Sequence, residues 1–153
     1  MIFLKLFLNG VKSENEYLRK IVPESLRPTT EIKWLRDPKK NDKILEILTS
    51  LRRDKSLYVC KSVGNNIKDL TKYIPEKMLN LMRYWIRVQK KETGIKIHDE
   101  LSSEKGLNKE EKRLIWTMKY AMRWIKERNP EYHPELDQIL GKNYSLYFDK
   151  KIK

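Results

Sequence analysis

Apolar residues recur along this chain at two different spacings, and the spacing changes near residue 65. Over residues 2–8 they alternate imperfectly and stop at Asn9-Gly10, a turn signal, which predicts a first strand. Residues 31–35, between Pro28 and Asp37-Pro38, predict a second. Residues 56–63 predict a third, with Leu57, Val59 and Lys61 on one face and Tyr58, Cys60 and Ser62 on the other, broken by Gly64-Asn65-Asn66. Two helices fall between these strands. Ser13 with Glu16 reads as a capping box that opens a short helix ending at Pro23. Asn41 caps another, in which Ile44, Leu45, Ile47, Leu48 and Leu51 form a helical stripe.

From residue 67 onward the spacing is helical. Residues 67–73 predict a short helix, and Pro75 starts a longer one that runs to about Lys91 with Met78, Leu81, Met82, Trp85 and Ile86 on one side. Residues 95–106 connect it to the next. Asn108 with Glu111 reads as a capping box, and Leu114, Met118, Ala121, Met122 and Ile125 make a continuous stripe that predicts a helix over residues 108–128, ended by Pro130. Residues 134–140 predict a short amphipathic helix closed by Gly141, and residues 144–148 a last strand before a tail.

The order predicts an α+β fold with helix dominant. A small three-strand β/α portion, residues 1–65, packs on a helical portion, residues 66–141, and residues 142–153 add a short strand and tail. Neither half is large enough to be stable alone, so one continuous domain over 1–153 is expected. The sequence shows no internal repeat.

Charge changes this picture most. The chain has 34 Lys+Arg against 21 Asp+Glu, a net charge of +13. The excess is spread out: +7 over residues 1–75, +6 over 76–129 and none over 130–153. Such self-repulsion is relieved by an anionic partner, of which nucleic acid is the commonest. With 39% hydrophobic residues, and no apolar run long enough to span a bilayer, neither a disordered tail nor a membrane partner is expected. A single cysteine, Cys60, excludes an internal disulfide framework and points to a reducing, cytoplasmic compartment. One Ala, two Gln and abundant Lys, Ile and Asn point to an AT-rich thermophilic source, archaeal or viral.

The candidate site lies on two helices. Opposite the apolar stripe of the 108–128 helix stand Lys112, Trp116, Lys119, Tyr120 and Arg123, three cations and two aromatics on the face that patterning assigns to water. Arg83, Arg87, Lys90 and Lys91 lie opposite the stripe of the preceding helix. Phosphates would take the cations and bases would stack on the rings. The alternatives are that Trp116 and Tyr120 pack against the N-terminal portion, that the basic stripe is a solvated face, or that these aromatics meet another protein chain. Lys39 and Lys40, before a helix start, add a second anion-binding position.

No phosphate loop, dinucleotide fingerprint or zinc spacing is present, so no cofactor or metal is expected. Cys60 reads as a buried small side chain, and His98-Asp99-Glu100 is the one local set of metal-ligating residue types. If Glu31 and Lys33 project from one strand face, the carboxylate could hold Mg²⁺ while the ammonium stabilises developing charge, with Glu14, Glu16 or Glu24 as the second carboxylate. The expected function is therefore a non-enzymatic DNA- or RNA-binding protein, alone or as a subunit of a nucleoprotein complex. The alternatives are a small Mg²⁺-dependent nuclease using Glu31 and Lys33, and a protein-interaction subunit of a larger assembly.

Overall fold

A computed structural model describes residues 2–29, 31–93 and 108–141 of the 153-residue chain. Among them there is no strand, and the expected α+β fold is replaced by an all-helical one. The helices are α1 (Ile2–Val11), α2 (Glu16–Ser25), α3 (Asp42–Ser50), α4 (Leu57–Thr71), α5 (Pro75–Thr93), α6 (Lys109–Arg128) and α7 (His133–Leu140), with single 3₁₀ turns at Lys33–Arg36 and Pro130–Tyr132.

Each expected strand fails for a local reason. Residues 2–8 are rich in Leu and Phe, which a buried helix takes as readily as a strand, and they lie in α1. Residues 31–35 bury only Leu35 and form part of a 3₁₀ turn between two proline-containing stretches. Residues 56–63 lead into α4, a single helix of 15 residues, despite the β-branched Val59 and Val63. Val59, Val63, Ile67 and Leu70 are all fully or nearly fully buried, and their spacing of three or four residues is helical. The helix runs straight through Gly64-Asn65-Asn66, so the division expected at residues 65 and 66 falls inside α4. The expected strand at 144–148 lies outside the described residues.

Hydrogen bonds between helices set the architecture. Glu16 meets Ser56 at 2.6 Å, Asn66 Nδ2 donates to the Pro23 carbonyl at 2.8 Å, and Arg27 meets Asp69 at 2.7 Å. Positions in α2 and α4 therefore advance together, and the two helices run parallel. Arg113 Nε donates to the Arg53 carbonyl at 3.3 Å and Arg123 Nη2 to Asn65 Oδ1 at 2.6 Å, so α6 continues the same layer in the same direction. In the other layer Lys77 meets Asp42 at 2.6 Å, Trp85 Nε1 donates to Thr49 at 2.9 Å, and Tyr132 and Arg83 bind Glu76 and Glu135 at 2.6 and 2.8 Å. Thus α3, α5 and α7 are also parallel, and α1 packs on α2 and α3. Two layers that each gain one helix per hairpin form an α-solenoid stack. The repetition lies in the geometry, not in the sequence.

Between the layers the buried apolar side chains form one cluster that runs from Val22 through Trp85 to Leu140. The caps follow the sequence in part. Asn108 Oδ1 accepts from Glu111 N at 2.8 Å and Glu111 Oε2 accepts from Asn108 N at 3.0 Å, the expected capping box of α6. At α2 the cap is Asn15, whose Oδ1 accepts from Tyr17 N, and Pro23 is carried inside the helix. Asn41 precedes α3 but turns inward, donating to the Leu35 carbonyl at 2.9 Å. No helix among the described residues is long and apolar enough to cross a membrane.

Candidate nucleic-acid interface

The outer side of α4 carries Lys61, Asn65 and Lys68, and its C-cap Lys72 continues the row, at spacings of four, three and four residues. That spacing is one helical face. Beside it α6 presents Trp116, Tyr120, Arg123 and Trp124, all half-buried. The two helices come unusually close at Gly64, where a Cβ would lie 2.6 Å from Tyr120 Cδ1. A glycine in mid-helix costs about 0.5–1 kcal/mol relative to alanine. Here it lets the Tyr120 ring lie directly on the α4 backbone.

The rings and cations then interleave. Trp116 stacks on Tyr120 with centroids 5.0 Å apart and planes 16° from parallel. One turn further along, the Arg123 guanidinium lies over the Tyr120 ring at 3.7 Å and is tied to Asn65 and to the Tyr120 carbonyl. Lys72 lies over the Trp124 ring at 4.5 Å and Arg128 at 5.3 Å. Cation–π contacts of this kind fix flexible cations at modest cost. Burial lowers the Arg123 pKa from its ordinary value, with Tyr120, Asp69 and Glu127 opposing the shift.

One carboxylate sits among these cations. Asp69 meets Arg27 at 2.7 Å, Lys68 at 2.7 Å and Lys72 at 3.5 Å. Burial alone would raise its pKa. Hydrogen bonds from Lys68 and Arg27, with their charges, outweigh burial and hold it below the usual carboxylate value.

Trp116, Tyr120 and Arg123, expected from the sequence, thus belong to one cluster. Arg27, Lys68, Lys72, Trp124 and Arg128 were missed because they come from other helices or flank the apolar stripe. Lys112 is exposed at the start of α6, and Lys119 is half-buried on its side. On α5, Arg83 pairs with Glu135 at 2.8 Å and with Asn80, while Arg87 and Lys91 are exposed. Arg83 and Arg87 line an open groove with Asn80, Ile86, Gln138 and Ile139. The side chain of Lys90 lies outside the described residues. Lys39 and Lys40 are exposed, and Asp42, which opens α3, is paired with Lys77, so a carboxylate already serves that helix start.

The strand on which Glu31 and Lys33 were to share a face does not form. Glu31 is exposed in a bend and Lys33 opens the 3₁₀ turn. Of the partner carboxylates, Glu16 accepts from Ser56 and Glu24 pairs with Arg27. No group of three His, Cys, Asp or Glu that could hold a metal exists among the described residues, and His98-Asp99-Glu100 lies outside them. Cys60 is fully buried, its Sγ donating to the Asp54 carbonyl at 3.3 Å, and burial pushes its thiol pKa up.

No family model matches this chain, and no solved structure matches it. It is similar to the Uncharacterized protein YhaZ of Bacillus subtilis (strain 168), 36% identical over 76 residues, which is 47% of this chain and 21% of that protein. The chain therefore matches about a fifth of that relative's length. The relative's name carries no activity to transfer, and the match lends nothing to a thermophilic, archaeal or viral source.

Proposed function

We propose that this chain is a non-enzymatic nucleic-acid-binding protein that holds DNA or RNA mainly by phosphate contacts on the α2–α4–α6 face. The observation that carries the reading is the gathering of Arg27, Lys68 and Lys72 around one carboxylate, with Arg123 and Arg128 laid on the neighbouring Tyr120 and Trp124 rings, in a chain of net charge +13. Positioned cations bind phosphate with less ordering cost than free ones. The aromatic contribution differs from simple stacking. Tyr120 lies between Trp116 and Arg123, and Trp124 carries Lys72 and Arg128, so these rings orient cations, and base stacking falls to Trp116. The test is fluorescence anisotropy with labelled duplex and single-stranded DNA and RNA across a salt series. Log affinity falls linearly with log salt if phosphates dominate. Affinity that is flat in salt contradicts the reading.

A second reading, contact with another protein chain, is supported by the α1–α2 edge. Leu6, Leu8, Tyr17, Leu18 and Ile21 are exposed there. The occupant proposed is a second copy of the chain. Residues 1–26 hold four Lys+Arg and three Asp+Glu, so two such edges meet with little of the repulsion that the rest of the chain imposes. Light scattering should show a dimer that Leu18→Glu/Ile21→Glu converts to monomer. A monomer at all concentrations overturns this.

A further inference from the structure

Glu24 reaches Arg27 alone, at 3.5 Å, whereas Asp69 holds Arg27, Lys68 and Lys72, all three within 3.5 Å. Its side chain is only 15% exposed, whereas those of Arg27 and Lys72 are 34% and 35% exposed. The carboxylate thus lies beneath the two cations that solvent, or a phosphate, reaches first. Its two oxygens divide the work. Oδ2 accepts from Arg27 Nε, and Oδ1 faces Lys68 and Lys72. A phosphate presents the same kind of acceptors to the same donors.

We infer that Asp69 sets the affinity of this face. It occupies the position of a nucleic-acid phosphate among Arg27, Lys68 and Lys72, and a bound phosphate takes over the contacts of the two outer cations. This rests on the nucleic-acid reading above. In the free protein Asp69 keeps four neighbouring cations, Arg123 among them, from repelling one another. In the complex it competes with the ligand for the same donors. The face is thereby prevented from binding polyanions as tightly as its cation count allows.

The test compares Asp69→Asn with Glu46→Gln, which removes one negative charge from the exposed side of α3, away from the cluster. Binding of labelled duplex and single-stranded DNA is measured from low to moderate salt, and folding is followed by circular dichroism. Asp69→Asn should bind roughly tenfold more tightly than wild type at low salt and steepen the salt slope by about one, as one more effective cation does. Glu46→Gln should change affinity less than about twofold at moderate salt, since Glu46 is exposed on another helix, α3, and its charge is shared with Lys43. Asp69→Asn that matches Glu46→Gln, or that binds more weakly while still folded, overturns the inference. If Asp69→Asn does not fold, Arg27→Gln/Asp69→Asn, which removes both partners together, is compared with Arg27→Gln. Tighter binding by the double variant supports the inference, and equal or weaker binding overturns it. A wild-type protein and an Asp69→Asn variant that both fail to bind defeat the nucleic-acid reading itself. Binding by wild type with no change in Asp69→Asn defeats only the role of Asp69.

Discussion

Two basic regions of this molecule carry similar numbers of cations and differ in how those cations are held. On α5, Arg83 shares an ion pair with Glu135 while Arg87 and Lys91 extend from one helix. On α4 and α6, cations from neighbouring helices are laid on rings, tied to Asn65, and gathered at Asp69. A stripe on one helix needs only binary patterning. A cluster shared by three helices needs their packing to be set, and Gly64 does this by admitting Tyr120 against the α4 backbone. Charge count is thus a poor guide to a site, and what fixes the charges is a better one.

The largest effect on the comparison is expected from Gly64→Ala. The added methyl would lie 2.6 Å from Tyr120 Cδ1, and overpacking of this kind costs about 1–3 kcal/mol. Better helix propensity returns no more than about 1 kcal/mol. Chemical denaturation should show a net loss, and binding should weaken because Arg123 moves with the ring. A stabilised variant with unchanged binding would show that the close approach is not needed.

Trp116→Ala should have a smaller effect. The side chain is half-buried and stacked, so the loss lies between that of a surface and of a core residue and includes the roughly 0.5–1.5 kcal/mol of an aromatic pair. Melting curves that are unchanged would place the ring fully outside the packing, and a collapse of the fold would place it in the core. Arg83→Gln, in the other region, breaks a partly exposed pair worth about 0–1 kcal/mol and should barely shift the denaturation midpoint.

The smallest effects separate the regions by pH. Asp69 has a lowered pKa when folded, so its stabilising contribution is present above the unfolded carboxylate value near 3.8 and is lost as pH falls through the folded value. Asp69→Asn should therefore flatten the acid limb of a stability–pH curve. Tyr132, on the α5–α7 side, donates to Glu76, and that hydrogen bond pushes its pKa up to about 12 from 10.0. Its contribution is full below pH 10.0 and is lost as pH rises through about 12, so Tyr132→Phe should flatten the alkaline limb, which Asp69→Asn leaves alone. The same bond lowers the Glu76 pKa, so Tyr132→Phe also flattens the acid limb where Glu76 titrates. An acid limb left unchanged by Asp69→Asn would contradict the electrostatic role given to the cluster.

Helices with a long, regular stripe were legible in the sequence. The α6 stripe from Leu114 to Ile125 is fully or nearly fully buried, and its capping box formed as expected. The α4 helix was hidden because Val59, Tyr58 and Val63 favour strands and Gly64-Asn65-Asn66 resembles a break. Tertiary packing overrides both preferences. That misreading also hid half of the site. With residues 57–71 read as one helix, Lys61, Asn65 and Lys68 fall on a single face that the C-cap Lys72 continues, a signal available without coordinates. Trp116, Tyr120 and Arg123 were legible because they share α6. Their partners Arg27 and Asp69 stand 42 residues apart in the chain, and no local pattern joins them.

The central claim is that phosphate contacts belong to the α2–α4–α6 face. The most direct test is the salt slope of nucleic-acid binding for two variants that each remove three positive charges, Lys68→Gln/Lys72→Gln/Arg123→Gln and Arg83→Gln/Arg87→Gln/Lys91→Gln. The first should lose roughly a hundredfold in affinity at moderate salt and flatten the slope by about three, while the second changes the slope by less than about one. Equal losses in two folded variants, or a larger loss in the second, would contradict the account.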